Sequence, residues 1–292
     1  MLDNEAKDIP KISQAQEIEF VYDLEQSVHE KKFQRVRQIL QMKEESLLKG
    51  IDQSKLNMQR KLIEYEAKKG IKVDEETKSR LQSTVIAKER GLALVKSQRA
   101  FLRPSTDEDI LYRQKVYDQL PALLKASAHP DIPFRFHGTP IYGAKDIITS
   151  RNLSSTADRL GIDTSYDTTD QLSVTTVDTL RTTVESYTSL NELEYQIPAG
   201  CIFVLLPKSA AESVAGASLL MNSVNLNESP SQLFAVLVSK EMSQEVKTWM
   251  AGSNLPAEKV YDFLEFPTIM KELASSINSR KLTPHDIVSY LP

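Results

Sequence analysis

From Gln14 to Phe101 the chain has no proline and only three glycines, Gly50, Gly70 and Gly91. Lys, Glu, Gln, Arg and Leu dominate this stretch, and all are strong helix formers. Its apolar residues then show what kind of helix. Phe33, Val36, Leu40 and Leu47 recur at the intervals of one helical face, with Lys43 as the polar intruder. Leu81, Val85, Leu92, Val95 and Leu102 repeat the pattern, interrupted by Lys88 and Arg99. One apolar stripe per helix demands a partner to cover it. Between the stripes, "AKKGIKVDEETKSR" breaks the pattern. Gly70 fits a C-cap and Asp74 an N-cap, with Glu75 and Glu76 favoured in the first turn by the helix dipole. The spacing predicts a helical hairpin over about 14–69 and 74–102, with a break near Gly50.

Pro104 stops the second helix, and Ser105 or Thr106 restarts one with acidic residues in its first turn. "KASAHPDIPFRFHG" then carries two prolines and marks a domain boundary. The division is a basic helical module with its linker helix over 1–128 and a second domain over 129–292. In the second domain the predicted strands are Phe134–His137, Gln171–Thr175, Cys201–Leu206, Leu219–Leu226 and Leu233–Val238. The predicted helices are Gly143–Ser150, Val177–Tyr187, Met242–Met250 and Thr268–Ser279. Strand and helix alternate irregularly, which predicts an α+β domain and not a regular parallel sheet.

Charge separates the two parts. From Lys31 to Arg103 there are 19 Lys/Arg against 9 Asp/Glu, a net +10. From Pro104 onward there are 15 against 23, a net −8. A basic hairpin of this kind admits a solvated surface packed on the acidic domain, an anionic lipid platform using Lys68, Lys69 and Lys72, or a coiled-coil partner. Few aromatics are interleaved with the basic residues, so nucleic acid is not an expected partner. No run approaches the ~20 apolar residues that span a bilayer, and the acidic, polar start "MLDNEAKDIPKISQ" is unlike a signal peptide. The single cysteine, Cys201 in "AGCIFVLL", excludes an intramolecular disulfide or a cysteine-based zinc site, and its apolar setting predicts a buried thiol.

Recognisable chemistry is sparse. His29 and His285 lie in polar helical surroundings and His129 in the linker, so all three are expected at the surface. No His pair has metal-ligand spacing, and no metal is expected. There is no phosphate-binding glycine loop, no GxGxxG and no GxSxG. What remains is "FRFHGTPIYGAKDIITSRNLSS", Phe134 to Ser155. A glycine at a strand end allows close approach to the backbone, and the adjoining His and Thr supply hydrogen-bonding groups. A flat amide with one donor and one acceptor suits such a glycine. A plain strand-to-turn junction suits it as well.

The surrounding order adds weight. After "RFHGT" comes a helix, then "DQLSVTTVDTLRTTVESY", a strand ending in Ser-x-Thr-Thr with a helix behind it. Over about residues 132–240 this resembles the ADP-ribosyltransferase superfamily, which includes toxins and poly-ADP-ribose-polymerase-like folds. The resemblance implies NAD as substrate, with Arg135, His137, Gly138 and Thr139 holding its ribose and nicotinamide. Ser173 and Thr175 would shape the pocket. A glutamate would stabilise the oxocarbenium ion left when nicotinamide departs. That glutamate has two placements. In "NELEYQIPAG", Glu192 and Glu194 form an ExE pair, Glu194 catalytic and Glu192 orienting the acceptor. The other placement puts the catalytic strand at "SLLMNSVNLNE", where Asn222 stands at the site and Glu228 lies just beyond. An amide there hydrogen-bonds a ribose without supplying charge. The resemblance thus implies a mono-ADP-ribosyltransferase-like protein acting on a protein target, or a catalytically inactive relative serving as a scaffold through its helices. Toxins and injected bacterial effectors combine such parts, which implies either entry into a host cell without a signal peptide or a cytoplasmic location.

Overall fold

The computed structural model describes residues 14–69, 74–130, 132–153, 171–187, 196–206, 213–215, 218–222, 224–226, 228 and 232–279, the side chains of 14–27 and several others excepted. Three helices open the chain: α1 (Gln14–Lys69), α2 (Glu75–Ala100) and α3 (Asp107–Ser127). Asp74 caps α2 as expected, its carboxylate accepting from the Thr77 N–H at 2.7 Å. Thr106 caps α3 through a reciprocal pair: Asp109 N–H donates to the threonine hydroxyl, and Thr106 N–H donates to the Asp109 carboxylate.

α1 and α2 form the expected hairpin, burying Leu40, Ile51, Val85 and Val95. Polar links cross the seam: Arg99 with Glu44, and Lys55 with Glu89 at 2.8 Å. The expected break at Gly50 does not occur, and α1 is one helix of 56 residues. Lys88 reaches across to donate to the Gly50 carbonyl at 3.0 Å and to the Ser54 hydroxyl at 2.8 Å, covering α1 where it lacks a side chain.

The remainder is α+β, as expected. β1 (Arg135–Thr139) leads through Pro140 into α4 (Ile141–Ser150). There follow β2 (Asn152–Leu153), β3 (Gln171–Val174), α5 (Leu180–Tyr187) and β4 (Cys201–Leu205). Next come β5 (Ser213–Ala215), β6 (Ser218–Asn222), β7 (Val224–Asn225) and β8 (Leu233–Val238). α6 (Lys240–Gly252), a 3₁₀ turn (Ala257–Lys259), β9 (Val260–Asp262) and α7 (Phe266–Asn278) complete the order. The main sheet runs β1-β4-β8-β9, antiparallel except for the parallel β8–β9 pair. β3, β6 and β5 form a second antiparallel sheet, and β2 pairs with β7.

The main sheet is apolar on both faces, which is why β4 and β8 are unbroken hydrophobic runs. Cys201, Phe203 and Leu205 pack toward α4 and α6, against Ile147, Met242, Val246 and Met250. Ile202 and Val204 pack on the other face, against α3, α5 and α7. A bulge at Val204/Leu205 puts Phe234 and Ala235 on that same face. α3 contributes Val116, Leu120 and Leu124 to this second cluster, so it shares a core with the strands it precedes.

Two histidines depart from expectation. His129 is 9% exposed, its Nε2 3.2 Å from Asn278 Oδ1, because the linker tucks under the end of α7. His29 pairs through Nε2 with Asp107 at 3.0 Å, joining α1 to the first turn of α3. His285 lies outside the described residues.

Candidate functional site

β1 is an edge of the main sheet, and its outer edge meets β3 at one bridge. There Phe136 N–H donates to the Thr175 carbonyl and Thr175 N–H to the Phe136 carbonyl, both at 2.9 Å. Peptide groups along an antiparallel strand point alternately to its two edges. Phe136 and Gly138 therefore both turn toward β3, while Arg135, His137 and Thr139 pair with Leu205, Phe203 and Cys201 of β4. The same alternation turns the peptides of Thr175 and Ser173 toward β1 and those of Leu172 and Val174 toward β6, where they stand opposite Met221 and Leu219.

Two residues beyond the bridge, Gly138 and Ser173 stand level with their peptides directed at each other. The ladder does not continue to them: Phe136↔Thr175 is the sole bridge between the strands among the described residues. Gly138 is buried beside this bridge. This gives the strand-end glycine a physical setting. Its main-chain donor and acceptor are directed toward β3, and the residue brings no Cβ to the space between the strands.

The bridge is braced. Thr175 Oγ1 lies 2.5 Å from Thr183 Oγ1 of α5 and donates to the Phe136 carbonyl at 3.4 Å. Thr179 caps the next turn, accepting from the Thr176 N–H at 3.1 Å. Sequence reasoning found Thr175 and missed Thr183. The available signal was a hydroxyl between Leu180 and Val184 on the buried face of a short helix.

His137 and Thr139 are buried beneath α4, 7% and 2% exposed, on the sheet face opposite Phe136. Arg135 begins the strand, its guanidinium donating to the Phe134 carbonyl at 3.1 Å. Cys201, opposite Thr139, is fully buried, as expected, and burial pushes its thiol far above the ordinary range, which removes it as a nucleophile. At the start of α5, Asp178 pairs with Lys125 of α3 at 2.8 Å, and Arg181 lies over the Tyr117 ring at 5.2 Å.

The expected carboxylates are not gathered here. Glu192 and Glu194 lie outside the described residues. Asn222 ends β6 opposite Gln171, two pairs beyond Ser173↔Leu220. Glu228 is exposed in a turn after β7, its N–H donating to the Asn225 carbonyl at 3.2 Å. Among the described residues no three His, Cys, Asp or Glu side chains form a metal-binding group, and no helix is long and apolar enough to cross a membrane. Comparison with known protein families, curated proteins and solved structures finds no match to this chain.

Proposed function

We propose that this protein binds NAD between β1 and β3 and is a mono-ADP-ribosyltransferase-like protein acting on a partner protein. The observation supporting this is the pair of main-chain peptides, at Gly138 and Ser173, directed at each other two residues beyond the lone Phe136–Thr175 bridge. The nicotinamide carboxamide donates one hydrogen bond and accepts another, matching the donor and acceptor of Gly138. The Phe136–Thr175 bridge and the Thr175–Thr183 contact brace one end of the proposed site. In the reaction the ribose C1′–N bond breaks, its electron pair goes to the pyridine nitrogen, and neutral nicotinamide leaves. Glu194 stabilises the cationic sugar carbon, and Glu192 orients the incoming side chain. That nucleophile forms the new bond and gives up its proton.

A second reading has its own support. β6 (Ser218–Asn222) carries no carboxylate, so a cleft completed by that strand binds without turnover. Nicotinamide release from NAD by the purified chain, beside the NAD-induced shift in melting temperature, separates the two. The first reading expects turnover that falls about 10²- to 10³-fold in Glu194→Gln and persists in Glu228→Gln. A thermal shift without turnover supports the binding reading. Neither turnover nor shift rejects both.

A further inference from the structure

We infer that one flank of α1 is a docking face for an anionic membrane surface. Val28, Ile39 and Met42 are 43%, 45% and 62% exposed and lie along this flank, outside the seam that α1 makes with α2. At 3.6 residues per turn they share an arc of about 120° with Lys31, Lys32, Arg35, Lys43 and Lys49, all exposed. Between Val28 and Lys49 the only other residue in that arc is Ser46. No carboxylate falls within it: Glu44 is turned inward to Arg99, and Glu30 and Glu45 lie on the neighbouring flanks. The patch is about 33 Å long.

Charge complementarity and the arrangement of the apolar residues choose the occupant. A file of single apolar side chains flanked by lysines suits shallow insertion at a headgroup boundary, where lysine stems cover apolar surface and their ammonium groups reach lipid phosphates. The same pattern opposes a second copy of this helix. The residues seven positions either side of Met42 are Arg35 and Lys49, so a self-paired seam would bury like charges. The arc carries no aromatic residue on which a nucleic-acid base could stack.

The test is co-sedimentation of the full chain with vesicles of phosphatidylcholine alone or with about 30% phosphatidylserine, in about 0.1 M and 0.5 M salt. The expected result is binding to the anionic vesicles only, weakened by the higher salt. Lys31→Glu/Lys32→Glu/Arg35→Glu should lower binding by about tenfold or more. Lys240→Glu/Lys271→Glu, on α6 and α7, should leave it unchanged. Ile39→Ser/Met42→Ser keeps every charge and should also weaken binding, so the inference stays testable if the triple variant fails to fold. Equal binding to neutral vesicles would overturn it, as would no binding to anionic ones or indifference to the α1 substitutions. So would tighter binding of a DNA duplex or a polyglutamate peptide that the same substitutions abolish.

Discussion

Tyr112 and Asp262 illustrate what single residues contribute. The Tyr112 hydroxyl donates to Asp262 Oδ2 at 2.5 Å, and the Leu264 N–H donates to Oδ1 at 2.9 Å. Asp262 is only 5% exposed, so this buried carboxylate depends on those donors. Burial first, then the hydrogen bond to Asp262, holds the Tyr112 hydroxyl well above the ordinary tyrosine range. The native state thus keeps a proton that the unfolded chain releases near pH 10. The resulting stabilisation is complete below about pH 10 and is lost as pH rises above it. Tyr112→Phe should cost about 1–3 kcal/mol at neutral pH by leaving Asp262 short of a donor. It should also flatten the alkaline loss of stability. Urea midpoints for both proteins, measured from neutral pH to about 11, check this. Equally steep alkaline losses would contradict the assignment. Cys201 titrates in the same direction, but it is common to both proteins and cancels from the comparison.

Among elements, α3 has the largest consequence for where the chain can be divided. Leu120 and Leu124 are fully buried and Val116 is 2% exposed, all against strands and helices that follow the proline linker. At about 1.5–3 kcal/mol for each buried side chain, α3 supplies a large share of a typical domain's 5–15 kcal/mol. A chain beginning at residue 104 should therefore unfold cooperatively on heating, and one beginning at 129 should not. Equal cooperativity in the two, followed by circular dichroism, would show α3 to be dispensable. The sequence revealed elements best where the signal was local. β8 is where the apolar run placed it, and the Asp74 and Thr106 caps follow from residues within one turn. Gly50 misled because its compensation, Lys88, is distant in sequence. β2, β5 and β9 have two or three residues each, too few to show alternation. The single strand expected over Leu219–Leu226 is two, since β6 pairs with β3 and β7 with β2. That choice of partners is not written in the segment itself.

At the scale of the molecule, a basic hairpin is fastened to an α+β body. Lys145 of α4 lies over the edge-to-face pair of Phe101 and Trp249, 5.7 and 5.6 Å from their ring centroids. Arg103 bonds through its N–H to the Gln196 carbonyl at 2.9 Å and through its side chain to Glu245 at 3.3 Å. The His-Gly-Thr and Ser-x-Thr-Thr sequences were legible as separate strand ends. Their meeting at one bridge is a matter of register between residues about 40 apart, beyond the reach of any local pattern. In the proposed NAD complex, main-chain atoms at Gly138 grip the carboxamide. The chain has nine glycines, so selective ¹⁵N-glycine labelling gives a spectrum of few signals, with Gly138 assigned by the peak lost in Gly138→Ala. On titration with NAD, and with nicotinamide alone, the Gly138 amide should shift saturably while Gly50 and Gly91 in the hairpin stay in place. A Gly138 resonance that does not move at saturating NAD would rule out that grip.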